Sequence, residues 1–376
     1  MSRPSGTAET SRCPACGGGE LKSFGAPRIR HAGLARSQPT AVCRCLTCDL
    51  LFFVPILPNA ALADHYTALA GEQWVGDSRP DWALVRHAIL QRVRTGSVLD
   101  IGCWTGGFLA SLPPEYEKLG VEPSLWARGR ATDRGVTFVA NSLDELVSTR
   151  GTYDVVTMID VIEHMTAPFE ALAAAAGRLK DRGVLIVTTG NSRALPWRLM
   201  PRDYWYYFAE HVCFFSERWF RWGAVRLGLQ IDQVSRFSHL PSNHVWTPFT
   251  ELARACACRL LGGAGALPFR LAQRGHLLRG PVETYHWPDH MLIVLRRRPP
   301  SARKNGLGTI GRVAGSTRPA FVAGQDTPDE LCRGAAALQL APRRLVSAVV
   351  AGGSPIAGRS DGKQPTRAAP VETYGG

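Results

Sequence analysis

Three acids and two glycines have the types and order to hold a cationic ligand. In "VLDIGCWTGGFLASL" an apolar run ends in Asp100 and breaks into a turn carrying Gly102 and Gly106 before turning apolar again. A strand, a glycine turn and a helix N-terminus usually cradle a dinucleotide pyrophosphate. That fingerprint needs a second glycine two residues after the first, and here Trp104 stands there, where an indole blocks the approach of phosphates. Asp100 would repel a diphosphate but attract an ammonium or sulfonium. The turn therefore suits a cationic, phosphate-free ligand, although another ligand on a Rossmann-like domain stays open.

The motif "LDIGCWTG" resembles the first motif of class I S-adenosylmethionine (SAM) methyltransferases, an acid-x-Gly-x-x-x-Gly turn after the first strand. The resemblance implies further cofactor-side residues. Glu122 in "YEKLGVEPS" stands where an acid binds the ribose hydroxyls, Asn141 and Ser142 stand where the chain turns toward the adenine, and Asp160 ends the fourth strand beside the methionine end. Cys103, inside the glycine turn, counts with them.

Two C-x2-C pairs, Cys13 with Cys16 and Cys45 with Cys48, suit tetrahedral zinc, because each short turn presents two thiolates to one metal. The 28 residues between the pairs exceed the usual ribbon spacing, and Cys43 in "CRC" is a further candidate ligand. Four cysteines fill the shell, so the metal is structural. Cys103, Cys213, Cys256, Cys258 and Cys332 lack such pairing and read as small core residues.

The elements around these residues alternate. "YDVVTMI" (153–159) reads as a strand; "TAPFEALAAAAGRLKDRG" as a Pro-started helix closed by Lys180 and Gly183 before a fifth strand; "SERWFRWGAVRLG" as a helix capped by Ser216 and stopped at Gly228. "LQIDQVSRF" resembles strand 6, and "HMLIVLRRR" an edge strand 7. The predicted fold is α/β, a Rossmann-like doubly wound seven-stranded sheet with its ligand at the carboxyl ends of the strands. A small zinc-ribbon-like module over residues 1–60 precedes the domain at 61–298. A helical cap at about 238–290 and a Gly, Ala, Pro, Ser and Arg-rich tail from 299 that reads as disordered complete the chain. From residue 298 on there are 11 Lys and Arg against 5 Asp and Glu, so much of the net charge of +13 sits in that tail.

A zinc module ahead of a SAM domain resembles bacterial sugar and natural-product methyltransferases, including sugar C-methyltransferases, over roughly residues 10 to 297. Such enzymes carry an aromatic, then Glu-His, after strand 5; here the stretch is "RDYWYYFAEHVCFFS". The resemblance implies His211 as a general base, Glu210 as its orienting partner and Tyr207 as a third catalytic candidate. Two residues before Glu210, where the sugar C-methyltransferases have tyrosine, this chain has Phe208. His164 in "VIEHM" is read as a brace or a substrate contact, and Tyr66 as reaching over the cofactor or lying on a helix surface.

The expected partner is a small or carrier-linked polar acceptor, a sugar or natural-product intermediate methylated at carbon or oxygen. "TPFTELARACACRLLGGAGALPFRLAQRGHLLRG" reads as a packed cap or as a basic interfacial helix meeting a membrane-linked substrate. An RNA methyltransferase would suit the zinc module and the pI of 9.6. Against it, the fourth strand exits as "IDVIEH" rather than as the Asn/Asp-Pro-Pro-aromatic turn that grips a flipped base. A non-catalytic interaction protein is a third reading, which the acids at 100, 122 and 160 oppose. No signal peptide and no apolar run of about 18 residues is read, so a soluble cytoplasmic protein is the expectation.

Overall fold

The computed structural model describes residues 12–29, 39–57, 62, 79–239, 246–260 and 286–299. Tyr66, most of the cap stretch after residue 260 and the tail from 300 lie outside the described residues, as does Cys332.

The chain begins with three short strands, β1 (Leu21–Ser23), β2 (Ala41–Cys45) and β3 (Leu51–Val54), followed by helix α1 (Pro80–Leu90). Then come β4 (Gly96–Ile101), α2 (Gly107–Ala110), β5 (Tyr116–Val121), α3 (Leu125–Asp133), β6 (Thr137–Ala140), α4 (Leu143–Ser148) and β7 (Tyr153–Ile159). A 3-10 turn at Ile162–His164, α5 (Pro168–Gly177), β8 (Leu179–Gly190), α6 (Leu195–Leu199) and the two-residue β9 (Cys213–Phe214) follow. The last described elements are α7 (Glu217–Arg226), β10 (Leu229–Phe237), α8 (Thr247–Leu260) and β11 (His290–Arg297).

Seven strands form one sheet in the order β10-β11-β8-β7-β4-β5-β6, all parallel except β11. The chain starts the sheet at β4, winds outward to β6, returns across β4 to β7 and winds the other way. That reversal makes the doubly wound topology and leaves a crevice at the carboxyl end of β4. The central strands are buried on both faces, as near-continuous apolar runs in parallel sheets require. Alternate residues part to opposite faces: Leu99, Val156, Leu185 and Ile293 pack toward α5 and α7, while Val98, Val155, Ile186 and Leu292 pack against Val85 and Ile89 of α1.

Two boundaries differ from the sequence reading. The strand at 290–297 is not at the edge but lies between β8 and β10, antiparallel to both. Its first six residues are buried, whereas β10 is half-exposed along most of its length, and that pattern makes β10 the edge. The helix at 168–177 stops at Gly177 rather than at Lys180 and Gly183, which belong to β8, because pairing of Tyr153 with Leu179 claims the chain earlier. Ser216 does cap α7, its Oγ accepting from Trp219 N at 3.2 Å, and Gly228 leaves the helix with φ +66°.

A second sheet, β1-β2-β3-β9, is antiparallel and takes its last strand from residues 213–214. The segment immediately after His211 thereby completes the N-terminal module. Within the stretch read as a cap, α8 is described; Glu251 accepts from His286 N at 3.1 Å and pairs with its Nδ1 at 2.6 Å, tying the helix to the segment that enters β11.

Candidate functional site

The turn after β4 is built on backbone that only its sequence allows. Gly102 sits at φ +75°, and a Cβ there would lie 2.5 Å from Val161 Cγ2. Gly106, at φ +73°, caps α2, and a Cβ there would meet Val136 at 2.9 Å. Trp104 adopts φ +47° without being glycine, and its indole packs on Trp126 with centroids 5.6 Å apart. Cys103 is buried behind the turn, its sulfur facing Gly120, so it shapes the loop by packing.

The acids at the strand ends are buried and held. Asp100, 3% exposed, accepts from Thr157 Oγ1 at 2.6 Å. Glu122, 4% exposed, accepts from the amides of Trp104 and Ser124, both at 2.9 Å, so it ties the turn after β4 to the start of α3. Burial lifts both carboxyls to about 7. Ser142 caps α4 by accepting from Glu145 N at 3.1 Å, while the Glu145 carboxylate accepts from Asn141 N at 2.7 Å. This reciprocal cap fixes the turn after β6.

Asp160 leaves β7 at φ +50° and takes the Arg79 guanidinium, with His239 Nε2 3.3 Å from the same oxygen. Arg79 also grips Asp81 through two bonds of 3.0 and 2.8 Å. Burial alone would raise the Asp160 carboxyl, but Arg79 and His239 outweigh it and hold it well below the ordinary range. Arg79, Asp81 and His239 carry no motif; contact across the sheet end is what groups them.

Beyond Asp160 the polar groups continue on the 3-10 turn and the aromatic segment after β8. Glu163 is fully buried, accepts from Thr189 Oγ1 at 3.0 Å and from the Tyr206 hydroxyl, and is pushed up to about 7 by burial and by Asp160. The rings of His164 and His211 lie 4.7 Å apart, edge to face. His164 Nδ1 is 3.1 Å from the Glu210 carbonyl, and His211 Nδ1 is 3.0 Å from the Tyr206 carbonyl. Burial and the neighbouring His164 ring press His211 well below the usual histidine range. Glu163, His164 and His211 each offer one metal-ligand atom within 4.8 Å of one another.

The catalytic candidates separate in this arrangement. His211 stands in the polar cluster, but its orienting partner is the Tyr206 carbonyl rather than the Glu210 carboxylate; Glu210 meets the cluster through its backbone. Tyr207 is fully buried on the other side, its hydroxyl accepting from Trp197 Nε1 at 2.9 Å and donating to the Pro201 carbonyl at 2.9 Å. The neighbouring Tyr206 faces Glu163 and His211 instead.

Residues 77–234 match the family model described as a methyltransferase domain. The match is a likeness of this region to that family and covers less than half of the chain. Among curated proteins, the chain is 30% identical over 149 residues to the ubiquinone biosynthesis O-methyltransferase of Erwinia tasmaniensis, covering 36% of this chain and 60% of that one. It is 32% identical over 108 residues to the same enzyme of Cronobacter sakazakii, covering 27% and 44%. The chain thus spans about half the length of the curated relatives it matches. Among solved structures, the magnesium protoporphyrin IX methyltransferase of Synechocystis superposes with a TM-score of 0.43 at 12% identity, over 64% of this chain and 100% of that one.

Outside the matched region, the two C-x2-C pairs meet. Cys13 Sγ lies 3.5 Å from Cys48 Sγ and Cys16 Sγ 3.4 Å from Cys45 Sγ, all four sulfurs lie within 4.8 Å of one another, and none forms a disulfide. Tetrahedral zinc with bonds of about 2.3 Å sets sulfurs about 3.8 Å apart, so the four thiols fit one ion. Burial raises the Cys16 thiol to about 12. Cys43 belongs to a different environment, against Ser23, which leaves Cys45 as the member of "CRC" in the cluster.

The second knuckle grips residues 192–216 of the matched region. Asp49, at φ +70° directly after Cys48, accepts from Ser216 Oγ at 2.6 Å and from Arg193 through Nε at 3.0 Å and a second guanidinium nitrogen. Arg44, 8% exposed, reaches the Ser192 carbonyl at 3.0 Å. With β3 paired to β9, the module holds both ends of the segment from 192 to 216 that carries Tyr206 and His211.

Proposed function

We propose that this chain transfers a methyl group from SAM to a small or carrier-linked polar acceptor, a sugar or natural-product intermediate, at a hydroxyl or carbon. The observation that carries the reading is the meeting of Asp100, Glu122 and Asp160 at the carboxyl ends of three adjacent parallel strands, around the turn from Gly102 to Gly106. In this reading Glu122 receives the ribose hydroxyls, the turn at Gly102 to Gly106 admits the cofactor backbone, Asn141 and Ser142 border the adenine, and Asp160 faces the methionine end. SAM supplies its own leaving group. The protein aligns donor and acceptor, excludes water and receives a proton. The half-length matches to ubiquinone O-methyltransferases support oxygen as the acceptor atom.

His211, neutral and held by a carbonyl, offers a lone pair that orients an acceptor hydroxyl. Cys13, Cys16, Cys45 and Cys48 hold one zinc ion in a structural role, supported by their spacing and by a complete set of four thiols. Calorimetric titration with SAM tests the first step: affinity in the micromolar range, about −8 kcal/mol, is expected, with Glu122→Ala weaker. Transfer of label from methyl-labelled SAM into a small-molecule pool tests the second. Binding of NAD in place of SAM would overturn the reading, and label in RNA would redirect it.

A further inference from the structure

Among the described residues four histidines gather at the carboxyl end of the sheet, and three have both their environment and a partner accounted for. His164 and His211 rest their Nδ1 atoms on backbone carbonyls, and His239 gives Nε2 to Asp160. His290, the first residue of β11, differs. It is fully buried, its Nδ1 lies 2.8 Å from Asp289 Oδ1, and its Nε2 has no hydrogen-bond partner among the described residues. A buried imidazole nitrogen without a partner loses hydration that a ligand or a reacting group restores.

We propose that Asp289 and His290 form a carboxylate–histidine dyad whose Nε2 takes the proton from the acceptor. The inference rests on the methyl-transfer reading above and deepens it by assigning the base. A carboxylate behind Nδ1–H fixes the tautomer, leaves the lone pair on Nε2 and stabilises the imidazolium that forms; a carbonyl behind His211 supplies no such charge. Asp289 is itself fastened: its other oxygen accepts from Trp205 Nε1 at 2.9 Å and from the Tyr204 hydroxyl, and its backbone carbonyl accepts from Asn191 N at 2.6 Å. The dyad is therefore rigid, as a preoriented base must be.

Its place also fits. Because β11 runs antiparallel, its first residue lies at the carboxyl ends of its neighbours, across from Gly190 of β8 and Phe237 of β10. The ionisable groups facing it are Tyr206, with ring centroids 4.9 Å away, His239 at 4.2 Å, Tyr204 through Asp289, and Asp160 and His211 across the cluster. In the step, the acceptor oxygen bonds to the methyl carbon as the carbon–sulfur bond breaks. The acceptor proton passes to His290 Nε2, and the products are the methylated acceptor, neutral S-adenosylhomocysteine and an imidazolium paired with Asp289.

Two measurements test it. In histidine-selective nitrogen NMR of the full chain, His290 is expected with its proton on Nδ1 and its lone pair on Nε2, a preference for Nδ1 that Asp289→Asn should weaken; a proton on Nε2 overturns the dyad whatever the acceptor. In transfer assays with methyl-labelled SAM and two probe acceptors, a nucleoside-diphosphate sugar and protocatechuate, His290→Asn is expected to lower turnover about 100-fold to 10,000-fold with SAM affinity within twofold of the parent. Asp289→Asn should move the acidic limb of the rate profile to lower pH, a shift that a purely structural role would not produce. Parental turnover in His290→Asn overturns the assignment. A parent that binds SAM yet labels neither probe counts against the reading of the acceptor, and the NMR result then decides the dyad alone.

Discussion

Asp49→Ala should loosen the acceptor-side segment without touching the glycine turn. The carboxylate is 3% exposed and serves Ser216, Arg193 and Arg44 at once. Removing it deletes a charge-assisted bond to Ser216, worth about 1.5 kcal/mol, and a bond to Arg193, worth about 1 kcal/mol because that side chain is nearly half-exposed. It also strips Arg44, buried, of its counter-charge, although Arg44 keeps the Ser192 carbonyl. Breaking a fully buried pair costs about 3 to 5 kcal/mol, and the retained bond places this site near the lower end, about 3 kcal/mol. Alanine at a left-handed φ adds about 1 kcal/mol, which Asp49→Asn avoids.

Urea melts followed by tryptophan fluorescence would measure the total, and amide exchange would locate it. Protection should fall over 192–216 and stay unchanged at 98–106. A loss below 1 kcal/mol, or exchange rising equally in both regions, would refute the clamp. The pH dependence has a definite sign. Burial would raise the Asp49 carboxyl, but Arg193, Arg44 and Ser216 hold it below the ordinary value. Its stabilisation is then present above the unfolded value of about 3.9 and fades as pH falls through the folded one. The parent should lose its margin over Asp49→Ala only below about pH 4.

Replacing Cys45 and Cys48 together by serine should release one zinc per chain in elemental analysis and lower protection of the N-terminal sheet; full metal retention would remove the assignment. Glu122 is lifted to about 7, so its contribution to stability is present below the ordinary value of about 4.3 and is lost as pH rises through about 7. Glu122→Gln should therefore narrow the fall in melting temperature between pH 5 and 8, and should flatten the rise in SAM affinity over the same window; an unchanged pH profile would show that the carboxylate does not titrate there. Gly102→Ala forces a Cβ against Val161 at positive φ and should abolish SAM binding while the N-terminal sheet persists. Tight SAM binding by that variant would place the cofactor elsewhere.

The alternation of strands and helices, the glycine turn and the order of the acids were legible in the sequence because each depends on local rules: apolar runs for buried strands, left-handed backbone for glycine, a serine cap for a helix. The paired cysteines were legible for the same reason, since a knuckle is a property of four consecutive residues. Strand order between β8, β10 and β11 was not, because β11 is more apolar than β10 and only the sheet decides which of the two is enclosed. Nor was the choice between Cys43 and Cys45, or between Tyr206 and Tyr207, since neighbours in sequence point to opposite sides and only packing selects the side. Arg79 and His239 meet Asp160, and His290 meets His239 and Tyr206, where α1 and β11 begin and β10 ends, although these residues lie far apart along the chain. Spacing carries information about contacts within one element; contacts between elements are set by burial and pairing across the sheet, and there the tertiary structure alone decides.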